Sequence, residues 1–301
     1  MILIPQLIGG YVIAILITLL FYVVLAQSWA IFSGYSGYIS LGTVAFVGIG
    51  AYTLMFLQYF PIYLSVLIAG GVGGAIAAGI GLPSLRVRGP YFAILSFGIA
   101  EVLRNIVLQL DMITVNRPGR FLYIDLPSIE TIYYSLLVLT IVLVIVAYLI
   151  KRSNLGLGLF VISDDEDAAA ASGVDTTRYK LTAFVISAVF ASLLGAIMAL
   201  RLGYIEPHVV FNPFISFHAI IAASLGGARK VRGPILGAIV ITLLSEYLST
   251  MFVFHYYIIL GVILILIVRF YPSGLAPLTQ PLERILTSKM RITHKGASQN
   301  K

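Results

Sequence analysis

Ile132-Tyr133-Tyr134-Ser135-Leu136-Leu137-Val138-Leu139-Thr140-Ile141-Val142-Leu143-Val144-Ile145-Val146-Ala147-Tyr148-Leu149-Ile150 is a run of 19 residues without a charge, closed at its far end by Lys151 and Arg152. An α-helix rises about 1.5 Å per residue, so about 20 apolar residues cross the roughly 30 Å of hydrocarbon in a bilayer. The run reads as a transmembrane helix, and it has company. Comparable stretches fall at about 7–32, 39–60, 62–82, 91–110, 181–200, 214–225, 234–248 and 256–268; 91–110 carries Glu101 and Arg104, and 234–248 carries Glu246 near its end. With 60% hydrophobic residues, 10% charged and a mean hydropathy of +1.03, the chain cannot surround a water-soluble core without exposing apolar surface. The expected fold is all-α: a polytopic membrane helical bundle of roughly eight or nine transmembrane helices over residues 1–280, then a basic cytoplasmic tail, 281–301. The stretch 214–225 is short and ends in Gly226-Gly227, so it reads as broken or re-entrant, which is tolerable only where protein or a water-filled cavity satisfies its backbone.

Basic residues flank one set of helix ends: Arg86 and Arg88; Lys151, Arg152, Arg178 and Lys180; Arg229, Lys230 and Arg232; and the tail. Cytoplasmic loops carry the Lys/Arg excess, so these ends belong inside, with 111–130 and 201–212 facing out. The net charge of +7 is accounted for by this distribution and by attraction to anionic membrane lipid, so no nucleic-acid partner is expected. The absence of cysteine excludes disulfides and thiolate metal sites, and the four histidines fall in no ligand spacing. No metal site, no resident cofactor and no catalytic residue are expected, because no nucleophile and base converge in the pattern.

The loop at about 151–180 is the most informative segment. Ser163-Asp164-Asp165-Glu166 has the form of a capping box, in which Ser163 caps a helix and Glu166 reaches back to it. Asp164, Asp165 and Asp167 suit the positive end of that helix, Ala168-Ala169-Ala170-Ala171 propagates it, and Gly173 ends it. Such a helix either closes the loop or offers a small-faced surface that a partner's groove approaches closely. A second theme is the stretch Gly34-Tyr35-Ser36-Gly37-Tyr38-Ile39-Ser40-Leu41-Gly42. Its glycines fit close helix packing in lipid, and its hydroxyls fit the lining of a pathway. Glu101 and Arg104 stand three apart on one helix face and can neutralise each other as an intramembrane ion pair. Arg88-Gly89-Pro90 and Arg232-Gly233-Pro234 both place proline where an outward-going helix begins.

These residues carry a family resemblance. The Gly34–Gly42 stretch, with Phe46 and Gly50-Ala51-Tyr52, is similar to the first signature of the permease subunits of branched-chain amino-acid ABC transporters, in their LivM-like branch, which also includes urea and amide importers. Leu85-Arg86-Val87-Arg88-Gly89-Pro90-Tyr91-Phe92-Ala93-Ile94, running on to Glu101 and Arg104, is a second match. Glu166-Asp167-Ala168-Ala169 with Gly173 resembles the family's coupling loop. Residues 180–195, then Pro207, Phe211, Ser216, Gly226-Gly227 and Gly233-Pro234, follow in register, and Pro272-Ser273-Gly274-Leu275 resembles the terminal signature.

The resemblance implies a plasma (inner) membrane subunit of a prokaryote, spanning many times and importing branched-chain or other small amino acids. Its partners would be a second, LivH-like permease, two ABC ATPase subunits and an extracytoplasmic solute-binding protein. ATP and Mg would act in the partners, since this chain has no GxxxxGK[ST] loop. Asp165, Glu166, Ala168, Ala169 and Gly173 would couple to the ATPases. Gly34, Tyr35, Gly37, Ser40, Gly42, Ser216, His218, Gly226 and Gly227 would serve the translocation pathway and its packing. The competing reading is a proton- or sodium-driven secondary transporter, for which Glu101 and Glu246 are the available carboxylates.

Overall fold

The computed structural model describes residues 10–251 together with 258, 259, 261 and 262. Apart from those four residues, the expected span at 256–268, the motif 272–275 and the tail 281–301 lie outside the described residues.

The architecture is an α-helical bundle. Helix α1 (Gly10–Trp29) continues through a π-helical turn, Ala30–Gly34, and is followed by α2 (Thr43–Phe56), α3 (Ile62–Ser84), α4 (Pro90–Val115) and, beyond a two-residue strand β1 (Arg120–Phe121), α5 (Ile129–Arg152). Two short helices, α6 (Asn154–Asp164) and α7 (Glu166–Ala171), precede the longest helix, α8 (Thr176–Leu202). Strand β2 (Tyr204–Ile205), α9 (Pro207–Val210), α10 (Pro213–Gly226) and α11 (Arg232–Met251) complete the described chain. Six segments among the described residues are long and apolar enough to cross a bilayer: Gly10–Gly34, Ile62–Ser84, Pro90–Val115, Ile129–Arg152, Thr176–Leu202 and Pro207–Gly226.

Three expectations need correction. The span expected from residue 39 begins at Thr43, because Gly37, at φ +77°, turns the chain and 37–42 stays non-helical; α2 starts where the Ser216 hydroxyl accepts a hydrogen bond from the Val44 N–H at 2.9 Å. The span at 214–225 is the second half of a longer segment, broken between α9 and α10 at Phe211-Asn212, where the Asn212 side chain accepts from the Phe214 N–H. Pro90 is the first residue of α4 as expected, whereas Pro234 is the third residue of α11.

Helix α8 is the axis of the bundle and packs most extensively on α2 and α3. Small residues allow this: a methyl group on Gly50 would overlap the Ser192 carbonyl, one on Gly195 would overlap the Val47 carbonyl, and the Ser192 hydroxyl donates to the Phe46 carbonyl at 2.9 Å.

The helix ends sort by charge. The turn 85–89, α6, α7, the start of α8 and the turn 227–231 share one end, where nine Lys/Arg residues fall (Arg86, Arg88, Lys151, Arg152, Arg178, Lys180, Arg229, Lys230, Arg232). Among the described residues the opposite end carries three, Arg117, Arg120 and Arg201, and there β1 pairs with β2 in antiparallel register, Arg120 opposite Ile205 and Phe121 opposite Tyr204.

Candidate functional site

At the basic end, α7 is held like a bolt between helices. It does not begin at Ser163. Ser163 and Asp164 still belong to α6, and the extended backbone that a cap requires first occurs at Asp165 (φ −157°, ψ 109°), whose carboxylate accepts the Asp167 and Ala168 N–H groups at 3.0 Å each. Glu166, freed from the expected capping role, turns inward. One of its oxygens accepts the Lys180 ammonium at 2.6 Å, and the other accepts the Tyr38 hydroxyl.

Lys180 is 2% exposed; it also donates to the Tyr38 oxygen at 3.1 Å and the Leu85 carbonyl at 3.3 Å, with its ammonium 4.4 Å from the Tyr38 ring centre. A buried ammonium is tolerable only when its donors are used, and here they join α7, α8, the 37–42 break and the end of α3. Arg88 closes the outer side, 2.7 Å from Asp167 and 4.0 Å from Glu166. Burial pushes the Glu166 carboxyl up, but hydrogen bonds from Lys180 and Tyr38 and the charges of Lys180 and Arg88 outweigh it, so the group stays below the usual carboxylate range. Burial, reinforced by Glu166, raises the Tyr38 hydroxyl.

The far end of α7 is closed by a left-handed residue. Gly173, at φ +86°, donates to the Ala170 carbonyl at 3.0 Å while Val174 donates to Ala169 at 3.1 Å, the paired bonds of a Schellman motif. Ala169 is buried, whereas Asp165, Asp167, Ala168, Ala170 and Gly173 are exposed. The helix is thus anchored on one face and bare on the other.

A second tie lies beside it: Arg229 reaches Asp164 at 2.6 Å and Ser163 at 3.1 Å. The glycines named from the sequence gather around these ties. A side chain on Gly34 would press on the Ala228 carbonyl, one on Gly37 on the Ser163 hydroxyl, one on Gly42 on the Ser96 carbonyl, and one on Gly226 on the Gly233 carbonyl; Gly227, at φ +95°, ends α10. Tyr35 is buried with its ring 5.1 Å from that of Phe160. Ser40 accepts the Trp29 indole N–H through its carbonyl at 2.8 Å. His218 meets the Phe214 carbonyl through Nδ1 at 2.8 Å and stacks on Tyr22. The cavity between Ser40, Gly42, Ser84, Phe92, Ser96 and Phe184 measures about 10 Å³, room for one water. Glu101 and Arg104 pair at 2.5 Å on α4, each side chain about a quarter exposed. Glu246 accepts the Tyr11 hydroxyl at 2.9 Å.

Two residues central to the geometry were not singled out from the sequence. Lys180 counts there only as a loop charge; the available signal is its position directly before the apolar run 181–200. Asp111 counts there as part of an outward segment, yet its side chain is 1% exposed and accepts the Arg120 guanidinium at 2.6 Å, the Tyr52 hydroxyl at 2.8 Å and the Gly119 N–H at 3.1 Å.

Comparison with known proteins places the chain. Residues 11–268 match the family described as branched-chain amino acid transport system, permease component. The high-affinity branched-chain amino acid transport system permease protein LivM of Salmonella typhimurium strain LT2 is 28% identical over 295 residues, covering 86% of this chain and 68% of that protein. LivM of Escherichia coli strain K12 is 30% identical over 296 residues, with the same coverage of 86% and 68%. The xylose transport system permease protein XylH of Haemophilus influenzae is 31% identical over 143 residues, 45% of this chain and 38% of that protein. No solved structure matches the chain. A multi-pass helical bundle matched by this family model over most of its length is a transport component and not an enzyme: the chain belongs to the permease components of branched-chain amino acid transport systems and is a LivM-like permease subunit of an ABC transporter complex, working with other permease and ATPase subunits.

Proposed function

We propose that this chain imports branched-chain or other small, largely apolar amino acids as one of two unlike permeases, the second LivH-like, in the inner membrane of a prokaryote. It crosses that membrane eight or nine times, with the basic end in the cytoplasm, in keeping with nine Lys/Arg residues there against three at the other end among the described residues. Solute arrives from an extracytoplasmic binding protein, and two ATPase subunits use ATP and Mg. The observation that carries the coupling assignment is the two-faced character of α7: one face is tied through Glu166 to three other segments, and the opposite face is exposed, acidic and small. A helix so built transmits a push without itself deforming.

The hydroxyl-rich break at 35–42 borders the pathway, with Ser216 and His218 behind it. Its cavity of about 10 Å³ is too small for an amino acid, which supports a route completed by the second permease. Replacement of exposed Ala168 or Gly173 by arginine is expected to leave membrane insertion intact while abolishing co-purification of the ATPases. Unimpaired co-purification with both variants overturns the assignment. The chain alone in vesicles takes up no solute; uptake dissipated by an uncoupler contradicts the reading.

A further inference from the structure

Helices α3 and α5 stand apart on one side of α8 and leave a groove of about 840 Å³ between them, within the roughly 300–1,000 Å³ of ordinary ligand sites. Its walls are α3 (Ile62, Tyr63, Val66, Leu67) and α5, and its floor is the α8 stripe Phe190, Leu193, Ile197 and Leu200. Three features define what fits. The lining of α5 runs from Thr131 to Val142, eleven helical steps or about 16 Å, which is half of a bilayer's hydrocarbon thickness of about 30 Å. Polar groups crowd one end: Asp125, Thr131, Tyr134, Ser135 and Tyr63 line the mouth, while Val138, Leu139, Val142, Leu193 and Phe190 below are apolar. Tyrosines at that level mark the membrane–water boundary, where amphipathic rings settle. The charge at the mouth is negative. Asp125 lines it, Glu130 lies in the first turn of α5 next in sequence to the lining Thr131, neither makes an ion pair among the described residues, and no Lys or Arg lines the groove.

A slot one leaflet deep, apolar below and acidic at the surface, fits a phospholipid whose headgroup presents a cation. We propose that the α3–α5–α8 groove is a binding site for an outer-leaflet phospholipid with a primary-amine headgroup, of the phosphatidylethanolamine class. An acyl chain lies along Val138, Val142 and Leu193, and the ammonium meets Asp125. An anionic headgroup is disfavoured there by the Asp125 carboxylate. The site does not depend on the coupling assignment of α7, so each can fail without the other.

The test uses the full chain purified gently in detergent, with retained phospholipid identified by mass spectrometry, and the delipidated chain exposed to vesicles of phosphatidylethanolamine or phosphatidylglycerol. Val138→Trp fills the groove from an exposed wall position and is expected to lower retained phosphatidylethanolamine about tenfold. Asp125→Asn should leave lipid bound but erase the preference over phosphatidylglycerol. Equal retention of the two lipids by the unaltered chain, or retention untouched by Val138→Trp, overturns the proposal. The chain has no cysteine, so Val138→Cys supplies a single thiol. Labelling of this thiol by a membrane-permeant maleimide in the assembled transporter after lipid removal is the expected result; protection there means that protein, from a partner or from this chain, covers the groove, and the proposal falls.

Discussion

The two ends of the molecule are each fastened by a carboxylate, a cation and a tyrosine, yet the two knots differ in what they join. At the end with β1 and β2, Asp111, Arg120, Tyr52 and Gly119 make a knot whose carboxylate is 1% exposed and whose partners lie on α2, on β1 and in the turn before β1. At the basic end, Glu166, Lys180 and Tyr38 make one whose carboxylate is 14% exposed and sits on a six-residue helix, α7. The first closes a wall, and the second holds a handle. Enclosure makes the former a matter of stability, whereas the latter is placed to be loaded by something outside the chain.

The largest expected effect is on the enclosed knot. Asp111→Ala strands a guanidinium, a hydroxyl and an N–H, and loss of one partner from such a buried pair costs about 3–5 kcal/mol. A sharp fall in the thermal midpoint of the detergent-purified chain checks it, and a midpoint unchanged from the parent breaks the contrast between the two ends. Next comes the handle. A double-mutant cycle of Glu166→Gln and Lys180→Met should give a coupling of about 0.5–3 kcal/mol, with insertion retained. Smaller again is Gly173→Ala: there is space for the methyl group, so only the left-handed backbone resists it, at about 1 kcal/mol, seen as faster amide exchange in α7 alone. The smallest effect belongs to Glu101→Leu with Arg104→Leu together, which removes both charges of a pair whose side chains are each about a quarter exposed and should leave the midpoint nearly unchanged; either single change leaves one charge in the span and lowers it.

Acid sharpens the same contrast. The Glu166 carboxyl is held below its ordinary value, so its contribution is fully present above the unfolded carboxylate value and is lost as pH falls through the lower folded one. Spin labels on cysteines introduced at positions 86 and 171 should report one fixed distance from neutral pH down to about 5 and a broadened one only below about 4. Broadening already at pH 6 contradicts the held-down carboxylate.

Much of this molecule is legible in its sequence because bilayer crossing leaves a one-dimensional mark: the unbroken apolar run 132–150 becomes α5 with little change, and Gly173 ends α7 as its residue type demands. The α7 start is misread because Ser163 and Asp165 both satisfy a local capping pattern, and the choice between them depends on how far α6 extends. Lys180 and Asp111 elude the sequence for a stronger reason. Two of their partners, Tyr38 and Tyr52, stand 142 and 59 residues away, and the nearer ones, Glu166 and Arg120, stand 14 and 9 residues away beyond the end of the helix, so no helical spacing rule connects them. The 39–60 span looks continuous because the bend at Gly37–Gly42 carries no charge and its Ile39 and Leu41 keep the stretch apolar.

The contact of α2 with α8 has a mechanical corollary. Where Gly50 faces the Ser192 carbonyl and Gly195 the Val47 carbonyl, peptide meets peptide with no side chain between them that can change rotamer. A seam without rotamers has no soft degree of freedom, so these two helices, with α3 alongside, travel as a single keel. Any rocking that opens the molecule to one face of the membrane and then the other must hinge along other seams.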